Sequence, residues 1–311
     1  MRTALDHLPA AKRRELEQVT RILFDEFEDA IKTKLSAKRK AGRILKLILF
    51  GSYARGDWVE DRANGYISDY DLLVVVNFEA FTDLQSWWGP ADDHFVRALT
   101  VTHQLATPVN FIVHSLRDLN GQLGRGQPFF TDIIRDGIAL YEAADHPLAA
   151  PKPLSPEDRR AQAQTHYEKA LPDAAYCLQL AEYAVRDGKP DHAAFNLHQA
   201  VERAYRGLLL VMTLYSPKSH RLTVLRSLAE NLDSRLIAAW PRDTRFARRC
   251  FARLQRAYVD ARYSHEYEIT GEELAWLVER VRALHAIVAA IGAEYLADMP
   301  PNGEGRLEAE C

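Results

Sequence analysis

Residues 49–57 read LFGSYARGD and residues 67–76 read ISDYDLLVVV. An apolar run from residue 44 to residue 50 precedes the first stretch and breaks sharply at Gly51-Ser52. A strand that ends in Gly-Ser and opens a helix presents backbone N–H groups and a hydroxyl that suit phosphate oxygens. Asp69 and Asp71 open the next apolar strand, and side chains two apart on a strand share a face, so both carboxylates reach one site. Paired carboxylates beside a phosphate cradle meet the needs of two Mg²⁺ ions, hard cations that flank the attacking and leaving oxygens of an in-line phosphoryl displacement. Gly-Ser alone is an ordinary turn and Asp-x-Asp alone an ordinary strand cap. Their order, each beside an apolar strand, carries the chemistry.

Outward from this stretch, residues 9–40 have apolar positions at helical spacing (Leu16, Val19, Ile22, Leu23, Phe27, Ile31, Leu35) and a basic end at Lys32, Lys34, Lys38, Arg39 and Lys40. Beyond the second strand a helical pattern spans about 79–106, interrupted at Gly89-Pro90. A third strand at 107–114, two short helices and a strand at 138–142 follow. The spacing thus predicts an α/β domain over 1–145. A proline-rich stretch, 146–157, reads as a linker. A helical bundle is expected over 158–298, with helices near 156–187, 190–214, 222–239, 244–263 and 271–297, the first kinked or divided at Pro172, and a loose tail over 299–311.

The whole chain has 311 residues, room for two domains at about 150 residues each. It is 47% hydrophobic and 27% charged, which excludes disorder and collagen-like repeats. No apolar run approaches the roughly 18 residues of a membrane span, and the amino-terminal stretch has no apolar h-region, so a cytoplasmic protein is expected. The 3 cysteines lie far apart, with no Cys-x-x-Cys pair, and read as small core residues rather than a disulfide or zinc framework. The net charge is −3, from 40 basic and 43 acidic residues spread evenly over both halves, so bulk charge marks neither half as a polyanion binder.

The pattern G-S-x-A-R-G followed by S-D-x-D-L-L-V, over residues 44–77, resembles the nucleotidyltransferase superfamily related to DNA polymerase β, and especially its minimal nucleotidyltransferase members. The segment at 137–141 resembles their closing strand. The resemblance implies that Gly51 and Ser52, with Arg55 beside them, hold the phosphates of ATP or another nucleoside triphosphate, and that Asp69 and Asp71 ligate two Mg²⁺ ions. Two departures stand out. Sixteen residues separate Ser52 from Asp69, more than in the short family pattern, and the excess at 57–66 is expected to loop over the site. The later strand offers Asn110 where the family places a third carboxylate. An Asn carbonyl can ligate Mg²⁺ but takes no proton from a hydroxyl. His114, on the same strand face, or Glu60 or Asp61 from the loop are the alternatives for the general base, and the sequence leaves that choice open.

In the second half, the stretch 192–211, with its Leu-His-Gln-Ala-Val-Glu run at 197–202, resembles HEPN domains over about 160–297. Its structural reading is a buried helix with a satisfied polar seam at His198, Gln199 and Glu202. HEPN ribonucleases space an Arg and a His by four to six residues, whereas Arg262 and His265 have two between them, which argues against RNA cleavage. Arg262, His265 and Tyr267 are the candidate groove residues, Arg262 towards the apolar side with a buried partner. By resemblance, the His-x-Tyr element at 265–267 is what a nucleotidyltransferase partner modifies, while the competing reading makes Tyr267 aromatic packing. Arg242, Arg245, Arg249, Arg253 and Arg256 step by three and four along one helix face. A solvated face paired with acids such as Asp260 is the first reading, and a track for RNA or nucleotide phosphates the second.

Together these features point to an α+β protein, a small polymerase-β-like nucleotidyltransferase domain followed by an all-α HEPN-like bundle. The expected activity is Mg²⁺-dependent transfer of AMP from ATP to a hydroxyl, in a fusion of toxin–antitoxin type, with a homodimer through the bundle among its expected partners. The alternatives are an aminoglycoside-type small-molecule nucleotidyltransferase, a nucleotide-binding regulator that has lost turnover with the third carboxylate, and an RNA-binding HEPN protein.

Overall fold

The computed structural model describes residues 1–32, 41–61 and 66–300. The chain divides into two compact units, Met1–Pro153 and Leu154–Cys311. In the first, the two apolar runs that flank the Gly-Ser and Asp-x-Asp elements become β1 (Ile44–Phe50) and β4 (Tyr70–Val76), each buried along its whole length. They pair antiparallel, with Phe50 opposite Asp71. Two further strands, β5 (Val109–Ser115) and β6 (Ile138–Glu142), complete a sheet of order β5-β4-β1-β6. β5 runs parallel to β4, which demands a crossover.

Helix α1 (Ala10–Lys32) precedes β1, and the five-residue α2 (Gly51–Arg55) follows it directly. The crossover contains α3 (Leu84–Trp87) and α4 (Gly89–Thr100). Gly89-Pro90 opens α4 rather than interrupting it, because proline suits a first helical turn whose N–H needs no partner. One sheet face (Leu47, Leu49, Leu72, Val74, Phe111, Val113) packs with Leu16, Val19, Leu23 and Phe27 of α1 and Phe95 of α4. The other face carries Ile48, Leu73 and Ile112 in its middle and Asp71 at one end. Phe129 and Phe130 of α6 (Pro128–Asp136), which follows α5 (Leu116–Gly124), pack against it through Phe50 and His114. The basic end expected beyond Lys32 lies outside the described residues.

The second unit holds α7 (Pro156–Arg186), α8 (Pro190–Thr213), α9 (Leu222–Glu230), α10 (Arg245–Arg256), α11 (Asp260–Tyr263) and α12 (Gly271–Asp298). α8 is the buried centre, with Leu197, Val201, Tyr205 and Leu208 inaccessible to solvent. Gly207 lets α7 approach, since a Cβ there would stand 2.4 Å from that of Ala170. Trp240 donates its indole N–H to the Tyr205 hydroxyl inside this core, at 2.9 Å. Pro172 lies inside α7 without dividing it. The carbonyl four residues earlier, left without an N–H partner, belongs to Glu168 on the exposed face of the helix. No helix among the described residues is long and apolar enough to cross a membrane. The tail at 301–311 lies outside the described residues.

Candidate active site

Gly51 has φ +72°, the left-handed region that glycine enters without strain. A Cβ at this position would lie 2.6 Å from Asp71 Oδ2, so the turn's backbone runs against the carboxylate. Ser52 is 5% exposed, and its Oγ is buried without a hydrogen-bond partner. A buried hydroxyl in that condition costs stability unless a ligand satisfies it. The first N–H groups of α2 have no preceding helical carbonyl to bond, so hydroxyl and amides present donors together. Arg55 ends the turn, partly exposed, with Nε 3.1 Å from Asp57 Oδ2.

Asp69 stands just before β4, and Asp71 is its second residue, 1% exposed. The parallel register sets Asn110 of β5 beside Asp71. Asn110 donates from Nδ2 to Asp69 Oδ2 at 2.7 Å. Asp69, Asp71 and Asn110 therefore meet at one end of the sheet, next to the Gly51–Ser52 turn. Among the described residues no group of three His, Cys, Asp or Glu is placed to hold a metal ion, and the third place here is an amide. The set still fits Mg²⁺. Two carboxylates and an amide carbonyl are hard oxygen donors, with an unsatisfied hydroxyl alongside for phosphate.

Two of the alternatives for a general base, His114 and Glu60, are engaged elsewhere. His114 shares a face with Asn110 but sits four residues along the strand, about 13 Å away. Its Nδ1 is 2.6 Å from Asp118 Oδ2, and its ring meets Phe130 edge-on. That hydrogen bond holds the Asp118 carboxyl below the usual carboxylate range despite partial burial. The loop expected over the site, 57–66, is described only at 57–61 and 66. Glu60–Asp61 (β2) and Tyr66–Ile67 (β3) form a small hairpin. Trp58 stacks on Tyr53 at 5.3 Å, and Glu60 forms an ion pair with Lys12 of α1 at 2.5 Å. Residues 62–65 lie outside the described residues. Spacing alone overlooked the Asn110–Asp69 bond. It also overlooked Arg2 and His7, which reach α2 from the amino-terminal segment.

The chain matches the nucleotidyltransferase domain family over residues 28–101, a span that includes Gly51, Ser52, Asp69 and Asp71, and the HEPN domain family over 167–291. A protein of Methanocaldococcus jannaschii, named a protein adenylyltransferase, is 48% identical over 118 residues, 37% of this chain and 92% of the relative. The chain belongs to the nucleotidyltransferase family. A nucleotidyltransferase-like protein of Exiguobacterium sibiricum aligns over 86% of this chain and 78% of its own at 14% identity, with a TM-score of 0.27, a likeness too slight to argue from.

The HEPN part of this nucleotidyltransferase does not assemble the expected groove. Tyr267 is buried and donates its hydroxyl to the Arg253 carbonyl at 3.2 Å, and burial raises its phenol. It is packing, not an accessible acceptor. Arg262 has no buried partner. It is exposed, donates to the Tyr258 carbonyl at 2.8 Å, and lies over the rings of Phe195, Tyr258 and Tyr263. His265 is exposed in the segment after α11.

Arg242, Arg249, Arg253 and Arg256 of the arginine stripe are ion-paired in this nucleotidyltransferase. Arg242 bonds Glu230 at 2.7 Å, and Arg249 and Arg253 share Glu273 at 2.8 and 2.7 Å. Arg256 reaches Asp260 at 2.6 Å. In the polar seam His198 Nδ1 lies 3.1 Å from the Leu254 carbonyl while its Nε2 is buried without a hydrogen-bond partner, and Glu202 bonds Arg206 at 2.9 Å and His220 at 3.0 Å.

Proposed function

We propose that this nucleotidyltransferase moves AMP from ATP onto a hydroxyl of a protein, with two Mg²⁺ ions. The observation that carries the reading is the buried, unpartnered Ser52 Oγ beside a Gly51 backbone that touches Asp71, with Asp69 and Asn110 at the same end of the sheet. In this reading Ser52 and the α2 amides bind the triphosphate, and Asp69, Asp71 and the Asn110 carbonyl hold the metal. Bound Mg²⁺ supplies neutralisation of phosphate charge and lowers the pKa of the acceptor hydroxyl. The hydroxyl oxygen forms a bond to the α-phosphorus as the bond to pyrophosphate breaks. The hydroxyl proton leaves to water, because the Asn110 amide has no basic atom to receive it.

A protein acceptor is supported by the name of the Methanocaldococcus jannaschii relative, and a toxin–antitoxin setting by the union with a HEPN domain. Burial of Tyr267 removes it as the acceptor in the folded chain. The absence of a third carboxylate favours one second reading, a nucleotide-binding regulator without turnover.

Incubation with each labelled nucleoside triphosphate and Mg²⁺, with and without a lysate of acceptor proteins, tests the proposal. Label from ATP on protein, lost in Asp69→Asn, supports it. Label confined to small molecules overturns the protein acceptor. Tight nucleotide binding without any transfer supports the regulator.

A further inference from the structure

The α2 turn ends short of backbone donors. The Gly56 and Asp57 N–H groups both bond to the Ser52 carbonyl, at 2.8 and 3.1 Å, so neither serves the Tyr53 or Ala54 carbonyl. Carbonyls at a helix end need partners from elsewhere. Two residues far back in the sequence supply them. His7 Nε2 lies 2.8 Å from the Tyr53 carbonyl oxygen. Arg2 Nη2 donates to the Ala54 carbonyl at 2.7 Å and to the carbonyl of Asp136, the last residue of α6, at 2.5 Å. One guanidinium thus ties the ends of two helices together, with the charge that a carbonyl end favours.

The segment bearing these side chains is itself fixed at both ends. Arg2 makes a parallel bridge to Ile138, and its carbonyl accepts the Ala139 N–H at 2.8 Å. Leu8 is 2% exposed and belongs to the core of the first unit. Backbone pairing and core packing hold the segment, which leaves the Arg2 and His7 side chains to hold the turn.

We propose that Arg2 and His7 are positioning residues for nucleotide binding. By capping the last carbonyls of α2 they fix the tilt of its first turn, where Gly51 and Ser52 meet the triphosphate. The inference rests on the reading of that turn as the phosphate cradle. A five-residue turn has little length to pack, so its orientation is set at its ends. At the front it continues from Phe50, paired with Asp71 in the sheet, and at the rear it is held by Arg2 and His7. Neither side chain is placed to touch the reacting atoms. Their effect passes through the turn, and misplacement by about an ångström costs reactions on the order of a hundredfold.

Calorimetric titration of the full chain with each of the four nucleoside triphosphates and Mg²⁺, followed by variants against the tightest, provides the test. Arg2→Ala should weaken binding about tenfold and raise the nucleotide KM more than it lowers kcat. Arg2→Lys should recover only part, since the lysine ammonium stops about an ångström short of the Nη2 position that donates to both carbonyls. His7→Ala should weaken binding by a smaller factor in the same direction. Ser52→Ala separates the two levels of the argument. If Ser52→Ala loses affinity while the Arg2 and His7 variants bind like wild type, the positioning role is overturned and the cradle stands. If Ser52→Ala binds like wild type, or wild type binds no nucleotide, both fall. Should Arg2→Ala fail to fold, Arg2→Lys and His7→Ala decide by the same criterion.

Discussion

Asn110 donates its amide N–H to Asp69 Oδ2 from the strand position beside Asp71. A carboxylate at 110 would face another at that distance, and like charges so close raise the pKa of one of them. The amide instead adds no third negative charge beside Asp69 and Asp71, at the expense of a proton acceptor.

Asp69→Asn and Asp71→Asn should each reduce nucleotidyl transfer by about a thousandfold or more, since a lost metal-ligand charge removes several kcal/mol of transition-state stabilisation. Circular dichroism should show both variants folded. Full activity in either would remove the metal site from these residues.

Asn110→Asp should raise the transfer rate by roughly ten- to a hundredfold, at the modest end of what a general base contributes. The same variant should melt at a lower temperature in EDTA and recover in Mg²⁺, because the new carboxylate repels Asp69 until a cation intervenes. His114→Ala should leave the rate within about twofold, given its distance along the strand. A large loss in His114→Ala would show that the histidine takes part in the chemistry.

Gly51→Ala forces an alanine to φ +72° and sets its methyl against Asp71 Oδ2. The backbone strain is about 1–2 kcal/mol, and the carboxylate must turn away as well. Urea unfolding should show a loss of about 1–3 kcal/mol, and transfer should fall at least a hundredfold. Unchanged nucleotide affinity would mean that the turn does not hold phosphate.

Burial alone would raise the Glu202 carboxyl, but His198 at 3.6 Å and the hydrogen bonds from His220 and Arg206 outweigh it and hold the group at about 2, against 4.5 ordinarily. Because the folded value is the lower one, the resulting stability is fully present above about pH 4.5 and is lost as the pH falls towards 2. A shift of this size corresponds to roughly 3 kcal/mol. Glu202→Gln should lower the urea midpoint at pH 7 and flatten its decline between about pH 5 and pH 2. A decline as steep as that of wild type would place the acid sensitivity in other groups.

The strands that carry the site were legible because β1 and β4 are buried on both faces and read as unbroken apolar runs. Gly51, Ser52, Asp69, Asp71 and Asn110 were legible for the same reason, since each sits at the end of such a run or alternates along it. His114 was misplaced because alternation tells the face of a strand and not the distance along it. Loop length carries no direction for the 57–66 insertion, whereas the Lys12–Glu60 pair supplies one for its described start. Tyr267 turned on whether an aromatic at a helix end points inward, and only its bond to the Arg253 carbonyl answers that. Nothing periodic marks residues 2–8, so the capping of α2 was invisible.

The amino-terminal segment also sets an order of events in biogenesis. Arg2 leaves the ribosome before its partners at Asp136 and Ile138 are made, and the Arg2–Asp136 contact spans 134 positions. Closing so long a loop is a slow, entropically expensive step that follows the local pairing of β1 with β4. A nascent chain released before residue 138 would contain the whole Gly-Ser and Asp-x-Asp pair but no β6 against which to lay its first strand. The cradle would then be present in covalent structure and unfinished in shape, and competence to grip a nucleotide would arrive only with the completion of the sheet's far edge.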